Sequence, residues 1–290
     1  MFAPHVDVIT LAPFLLLLAA VLGLWIHRAV WIGALAAAVA AAYFTGALQG
    51  AAALWIALLA ALALAYARAR QRSGAVQIVA GIAFFGFALA MGLALLPGFP
   101  RTVIIDATRL SPDALPFGLS LGFPKVVGGI LILGLVRESR VRSWRELGGV
   151  LKLTAPVFGL TLIAVMACAL ALGYVRFDAK WTSLFFAWAL SNLFFTCLAE
   201  EAFFRGFLQH ELARIGSNRE RARVAAWIFA ALLFGLVHLA GGWKYAVAAT
   251  VAGLGYGWAY HRTQRVEAAM AVHFGLNASH FLLFTYPALA

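Results

Sequence analysis

Residues Leu198–Gln209 read LAEEAFFRGFLQ and end an apolar run that begins near Ser183. Two adjacent carboxylates, Glu200 and Glu201, are followed by Arg205 inside what otherwise reads as a membrane helix. The chain has eleven acidic residues. The other nine (Asp7, Asp106, Asp113, Glu138, Glu146, Asp178, Glu211, Glu220 and Glu267) fall in or beside polar connections. A carboxylate at bilayer depth costs roughly 2.5 kcal/mol or more. Two together in apolar sequence therefore need a reason, and the reason is sought in the rest of the chain.

Composition sets the class. Of 290 residues, 64% are hydrophobic and 11% charged, and mean hydropathy is +0.93. Soluble domains carry about 25% charged residues. The expected fold is all-α: a polytopic integral-membrane bundle of about 10 transmembrane helices. Apolar runs sit near 9–26, 29–48, 51–67, 75–96, 117–136, 150–173, 182–208, 223–240, 244–260 and 266–286. The fifth is interrupted by Pro124 and Lys125, which leaves a re-entrant segment as its alternative. The net charge of +11 does not point to nucleic acid, because Lys and Arg lie in short loops between apolar runs. There they act as topology signals and contacts for anionic lipid.

Counting alternate loops, fifteen basic residues fall on one side and six on the other, with Arg205 set aside. Arg70, Arg72, Arg137, Arg140, Arg142, Arg214 and Arg265 are among the fifteen, and Lys125 is among the six. This bias fits ten crossings with the basic loops cytoplasmic and both termini outside. No basic residue precedes the first apolar run, so no cleaved signal peptide is expected. Cys168 and Cys197 read as small packing residues. Pro97–Pro124 holds five prolines and reads as a plain external loop, with a lid as its alternative. Arg137–Lys152 reads as a solvated basic connection near headgroups.

Later apolar runs carry matching polar residues. Phe234-Gly-Leu-Val-His238 closes the eighth, and His273-Phe-Gly-Leu-Asn277 lies within the tenth. Residues four apart share a helix face, so His273 aligns with Asn277, and Glu201 with Arg205. Glu200 is turned about 100° from Glu201, which predicts different roles for the two. Glu201, paired with Arg205, stays ionised. Glu200 has no partner on its own helix, and its pKa is expected to rise, as suits a general base. Counted from the basic loops at helical rise, Glu200, His238 and Asn277 lie ~21, ~22 and ~18 Å deep. Acid, imidazole and amide thus reach one level, as in a peptidase that activates water. His5, His27, His210 and His261 read as structural, as does His280, and Asn192 reads as a helix–helix hydrogen bond. Gly253-Leu-Gly-Tyr-Gly257 reads as a close-packing face.

The order Glu-Glu-x-x-x-Arg, Phe-x-x-x-His, His-x-x-x-Asn resembles the CAAX protease and bacteriocin-processing (CPBP) family of membrane-embedded endopeptidases. Phe204-Arg205-Gly206 and the glycines before His273 are also similar to that family. The resemblance covers roughly Ser183 to Phe284. It implies a glutamate-type mechanism in which Glu200 and His238 activate water. His273 and Asn277 would stabilise the oxyanion, and Glu201 and Arg205 would support the site. It implies no cofactor. If a metal were used, Glu200, His238 and His273 would be the donors for zinc. The implied partners are a membrane-anchored protein or peptide substrate and the bilayer. Residues 146–290 would form the protease core, and residues 1–145 accessory helices. A non-catalytic scaffold or immunity-type protein and a proton-coupled transporter are the rival readings.

Overall fold

The computed structural model describes residues 6–71, 74–135, 139–215 and 219–290. His5, Arg72, Arg137 and Glu138, named above, lie outside the described residues. The fold is an all-α helical bundle with one small hairpin. In chain order it runs α1 (Val8–Gly23), α2 (Arg28–Phe44), α3 (Ala52–Ala69), α4 (Ala75–Gly92), β1 (Thr102–Thr108), β2 (Phe117–Leu121), α5 (Phe123–Leu135) and α6 (Trp144–Ala171). It continues with α7 (Phe185–Ser191), a π-helical segment Asn192–Cys197, α8 (Leu198–Glu201), a second π-helical segment Ala202–Gln209 and α9 (His210–Ile215). Last come α10 (Arg219–Val237), α11 (Trp243–Thr263) and α12 (Val266–Leu283).

Local chemistry sets several boundaries. Asp7 caps α1 by accepting from Thr10 N at 2.7 Å. Ser143 caps α6 by accepting from Glu146 N at 3.1 Å, while the Glu146 carboxylate accepts from Arg142 N at 2.7 Å. Among the described residues, α3, α4 and α6 are long and apolar enough to cross a bilayer. Their apolar side chains are largely unburied within the chain, as expected for an integral membrane protein whose solvent is lipid.

Three sequence expectations are corrected. The run 117–136 is not one span: β2 occupies its start, and α5 begins only at Phe123. With 13 residues, ~20 Å long, α5 is shorter than a ~30 Å hydrocarbon core. It lies inside the bundle, where Gly128, Gly129 and Gly134 meet Phe203, Ala199 and Trp31 too closely for a Cβ. Second, Pro97–Pro124 is not a plain loop. It folds as the antiparallel β1–β2 hairpin, with Thr102 opposite Leu121 and Thr108 opposite Phe117. Leu115 N and Ala290 N donate to Ala288 O and Asp113 O, at 2.9 Å each, so the last residues are stitched to this hairpin. Third, Glu211 and Glu267 are buried, although their sequence surroundings look polar. Arg70 holds Glu211 at 2.8 Å, and Trp25 Nε1 donates to Glu267 at 2.7 Å.

The basic connections gather at one end of the bundle: Leu24–Ile26, Arg70, Arg140–Trp144 and Arg214 border a single cavity there. Arg265 joins them through Glu146 at 2.6 Å. The hairpin and the last residues lie at the other end. Helices α3 and α4 also grip the central segment, since Tyr66, Phe84 and Phe85 surround Phe207 at ring distances of 5.1–5.4 Å.

Candidate active site

The site grows from α8, a four-residue α-helical piece between two π-helical segments. A π turn inserts a residue into the regular hydrogen-bond ladder and re-aims the side chains around it, and such turns concentrate at functional sites. Here they frame Glu200 and Glu201. The π geometry also packs more residues into each unit of length, so the ~21 Å depth drawn from α-helical rise is an upper bound for Glu200.

Glu201 is fully buried and points into the bundle. Arg205 Nη1 lies 3.1 Å from its carboxylate. Arg205 Nη2 donates to Gly253 O at 2.9 Å, and its guanidinium sits 4.8 Å from the Phe234 ring and 5.3 Å from Tyr256. Gln209 Nε2 donates to Gly257 O at 3.0 Å. The small-residue face of α11 thus does two things. It lets α10 approach, since a Cβ on Gly253 would meet Ala231 at 3.2 Å, and it exposes two carbonyls to the π-helical segment.

The other oxygen contacts divide the two glutamates. His273 Nδ1 is 2.7 Å from Glu201 Oε1, and His273 Nε2 is 3.8 Å from Glu200 Oε2. The imidazole therefore bridges both carboxylates, stacked on Tyr256 at 4.3 Å. Glu200 is not without a partner, as its own helix suggested. Lys125, in the first turn of α5, pairs its ammonium with Glu200 Oε1. The sequence placed Lys125 in an external connection, and its only signal was a lone cation breaking an apolar run. The boundary drawn at residues 145/146 leaves this lysine on the accessory side.

His238 ends α10. Its Nδ1 lies 2.6 Å from Phe234 O, a contact in which only the ring nitrogen can donate. That leaves Nε2 as the free nitrogen. Asn277 Nδ2 donates to Asn192 Oδ1 at 3.2 Å, the helix–helix bond expected of Asn192, and Cys197 Sγ donates to the same oxygen at 3.2 Å. His280 faces Thr285 O at 3.1 Å, and His210 bonds Tyr260 at 2.9 Å.

Glu200, His238, His273 and Asn277 all line one cavity of about 520 Å³. Phe117, Gly118 and Leu119 of the hairpin also line it, as do Tyr245, Tyr256 and Tyr286. Among the described residues, no three His, Cys, Asp or Glu side chains are arranged to hold a metal ion. The zinc donor set weighed from the sequence also has the Lys125 ammonium already against its carboxylate member.

No curated protein and no solved structure matches the chain. A family model does match, over residues 181–279, about a third of the length. The matched segment contains α7 through most of α12, hence Glu200, His238, His273 and Asn277, but not Lys125. Over that segment the chain is similar to the Rce1-like family, the type II CAAX prenyl endopeptidases.

Proposed function

We propose that this chain is a multi-pass endopeptidase of a bacterial-type cytoplasmic membrane that cleaves a membrane-associated protein or peptide near its anchored terminus. The carrying observation is the convergence of Glu200, His238, His273 and Asn277 on one largely apolar cavity. A water between Glu200 and His238 Nε2 attacks the scissile carbonyl and gives its proton to Glu200. The oxyanion that forms is held by the Asn277 amide, one of whose two protons is free of the Asn192 bond, and by His273 Nε2. Glu201 fixes the His273 ring through Nδ1, and Arg205 keeps Glu201 in place. Glu200 then returns the proton to the leaving amine. Every step uses side chains of this chain, so cleavage is expected to survive excess chelator. The substrate enters sideways from lipid, and the hairpin borders its path.

Reconstituted protein provides the test. Glu200→Ala and His238→Ala should abolish cleavage while insertion is unchanged. The substrate is found by comparing membrane proteomes of cells with the wild type and with Glu200→Ala, looking for a protein that keeps its terminus. Full activity in Glu200→Ala would overturn the reading. An unchanged phenotype in Glu200→Gln would favour a non-catalytic scaffold.

A further inference from the structure

A second cavity, about 1520 Å³, opens at the basic end of the bundle, where α1, α3, α5, α6, α9 and α12 meet. Among the described residues, Arg70, Arg140, Arg142 and Arg214 border it, with Glu267 as the one carboxylate. That carboxylate faces inward, accepting from Trp25 Nε1 at 2.7 Å and Val141 N at 3.0 Å. Arg70 and Arg214 share Glu211, at 2.8 and 3.3 Å, so this trio keeps a positive charge. Arg140 donates to Leu24 O and lies 6.0 Å from the Trp25 ring, and the Arg142 side chain is exposed. The mouth is therefore cationic. The deeper wall is apolar, formed by Leu22, Leu135, Leu193, Phe194 and Met270. Trp144 stands at the rim, 88% exposed, as an interfacial anchor would.

One ligand chemistry satisfies both halves. A soluble phosphate ester would leave the apolar wall wet, and a zwitterionic lipid would gain little from the arginines. Basic pockets between membrane helices on the cytoplasmic side suit anionic headgroups. We propose that this cavity holds one anionic phospholipid, its phosphate against Arg140 and Arg142 and an acyl chain along Leu193, Phe194 and Met270. The lipid would press on the back of the first site. Leu193 and Phe194 lie in the π-helical segment before Glu200, and Met270 lies one turn before His273. Any effect on cleavage rests on the proposed peptidase reading, whereas lipid binding does not.

Native mass spectrometry of the full chain in zwitterionic detergent tests this, with phosphatidylglycerol, phosphatidylcholine and glycerol 3-phosphate as probes. The expected result is one phosphatidylglycerol retained in preference to phosphatidylcholine, and not displaced by glycerol 3-phosphate. Arg142→Gln should cut that preference about fivefold. Leu193→Trp, which fills the cavity, should lower retention of both lipids, and Arg101→Gln, in the loop before β1, should change nothing. Equal retention of the two lipids by the wild type overturns the proposal. So does a preference that survives both Arg142→Gln and Leu193→Trp, or displacement by glycerol 3-phosphate. Should a variant fail to fold, the wild-type comparison still decides. Glu200→Ala should keep the lipid preference whether or not cleavage is lost, which separates failure of this site from failure of the peptidase reading.

Discussion

Lys125 and Glu200 form an ion pair that joins the first turn of α5 to the α-helical piece between the π-helical segments. Their side chains are 35% and 12% exposed, so the pair is partly screened from bulk solvent, and Glu200 carries it to the cavity wall. A carboxylate within an apolar bundle needs a counter-charge. Arg205 supplies one to Glu201, and Lys125 supplies one to Glu200. Two glutamates adjacent in sequence thus belong to separate networks, bridged by the His273 ring.

Removing that lysine should be felt twice. Lys125→Met leaves the Glu200 carboxylate uncompensated and is expected to cost about 1–3 kcal/mol of stability. Cleavage should fall by roughly tenfold or more, since each 1.4 kcal/mol lost in the transition state is tenfold in rate. Lys125→Arg should keep most of both. Thermal unfolding in detergent and cleavage of a reconstituted substrate provide the measurements. Wild-type behaviour of Lys125→Met would show the pair to be incidental.

Arg205 is fully buried with Glu201, and its loss should be more severe. Arg205→Ala is expected to destabilise by about 3–5 kcal/mol, because Glu201 is left as a buried unpaired charge. Adding Glu201→Gln should recover part of that loss without restoring cleavage, since His273 loses its anchor. A double-mutant cycle on unfolding midpoints reads the coupling. Simple additivity of the two changes would contradict a paired role.

Gly129 is the contact through which α5 seats α8. A Cβ there would lie 2.9 Å from Ala199 Cα, which is backbone and cannot swing away. Gly129→Ala should cost about 1–3 kcal/mol and shift the residue next to Glu200, lowering cleavage. Gly148→Ala serves as the contrast, because nothing lies within 4 Å of its added Cβ on α6. It should be neutral, or stabilising by about 0.4–1 kcal/mol. If both glycines tolerate alanine equally, the packing argument fails.

Asp178 tethers the hairpin segment to the turn before α7. The hydrogen bond from Ser111 holds its carboxyl below the usual carboxylate range, with help from Lys180. A depressed native pKa means the tether contributes fully above the ordinary value and is lost as pH falls through the lowered one. Hydrogen exchange in residues 102–121 should therefore rise only as pH is lowered through and below the ordinary carboxylate value, after correction for intrinsic rates. Asp178→Asn should remove this dependence. A pH response unchanged in that variant would place the origin elsewhere.

The class of the molecule and the parts of its site were readable from residue order. Long apolar runs force helices in lipid, because backbone groups there have no other partner. Two carboxylates in such a run require compensation, so Glu201–Arg205 follows from spacing alone. Most helix positions came from the same logic, and α10, α11 and α12 lie close to their apolar runs. The hairpin did not, because the prolines flanking its strands read as loop and the pairing of 102–108 with 117–121 is not a local property.

Tertiary packing assigned the partners. Lys125 is 75 residues from Glu200, and nothing in its own neighbourhood distinguishes a counter-ion from a loop cation. Glu211 and Glu267 look solvated in sequence and are buried, because Arg70, just past α3, and Trp25, just past α1, reach them. Spacing along one helix is covalent and legible, whereas charge pairing between helices depends on how distant segments are brought together. That is why one glutamate's counter-ion could be read from residue order and the other's emerged only with the fold.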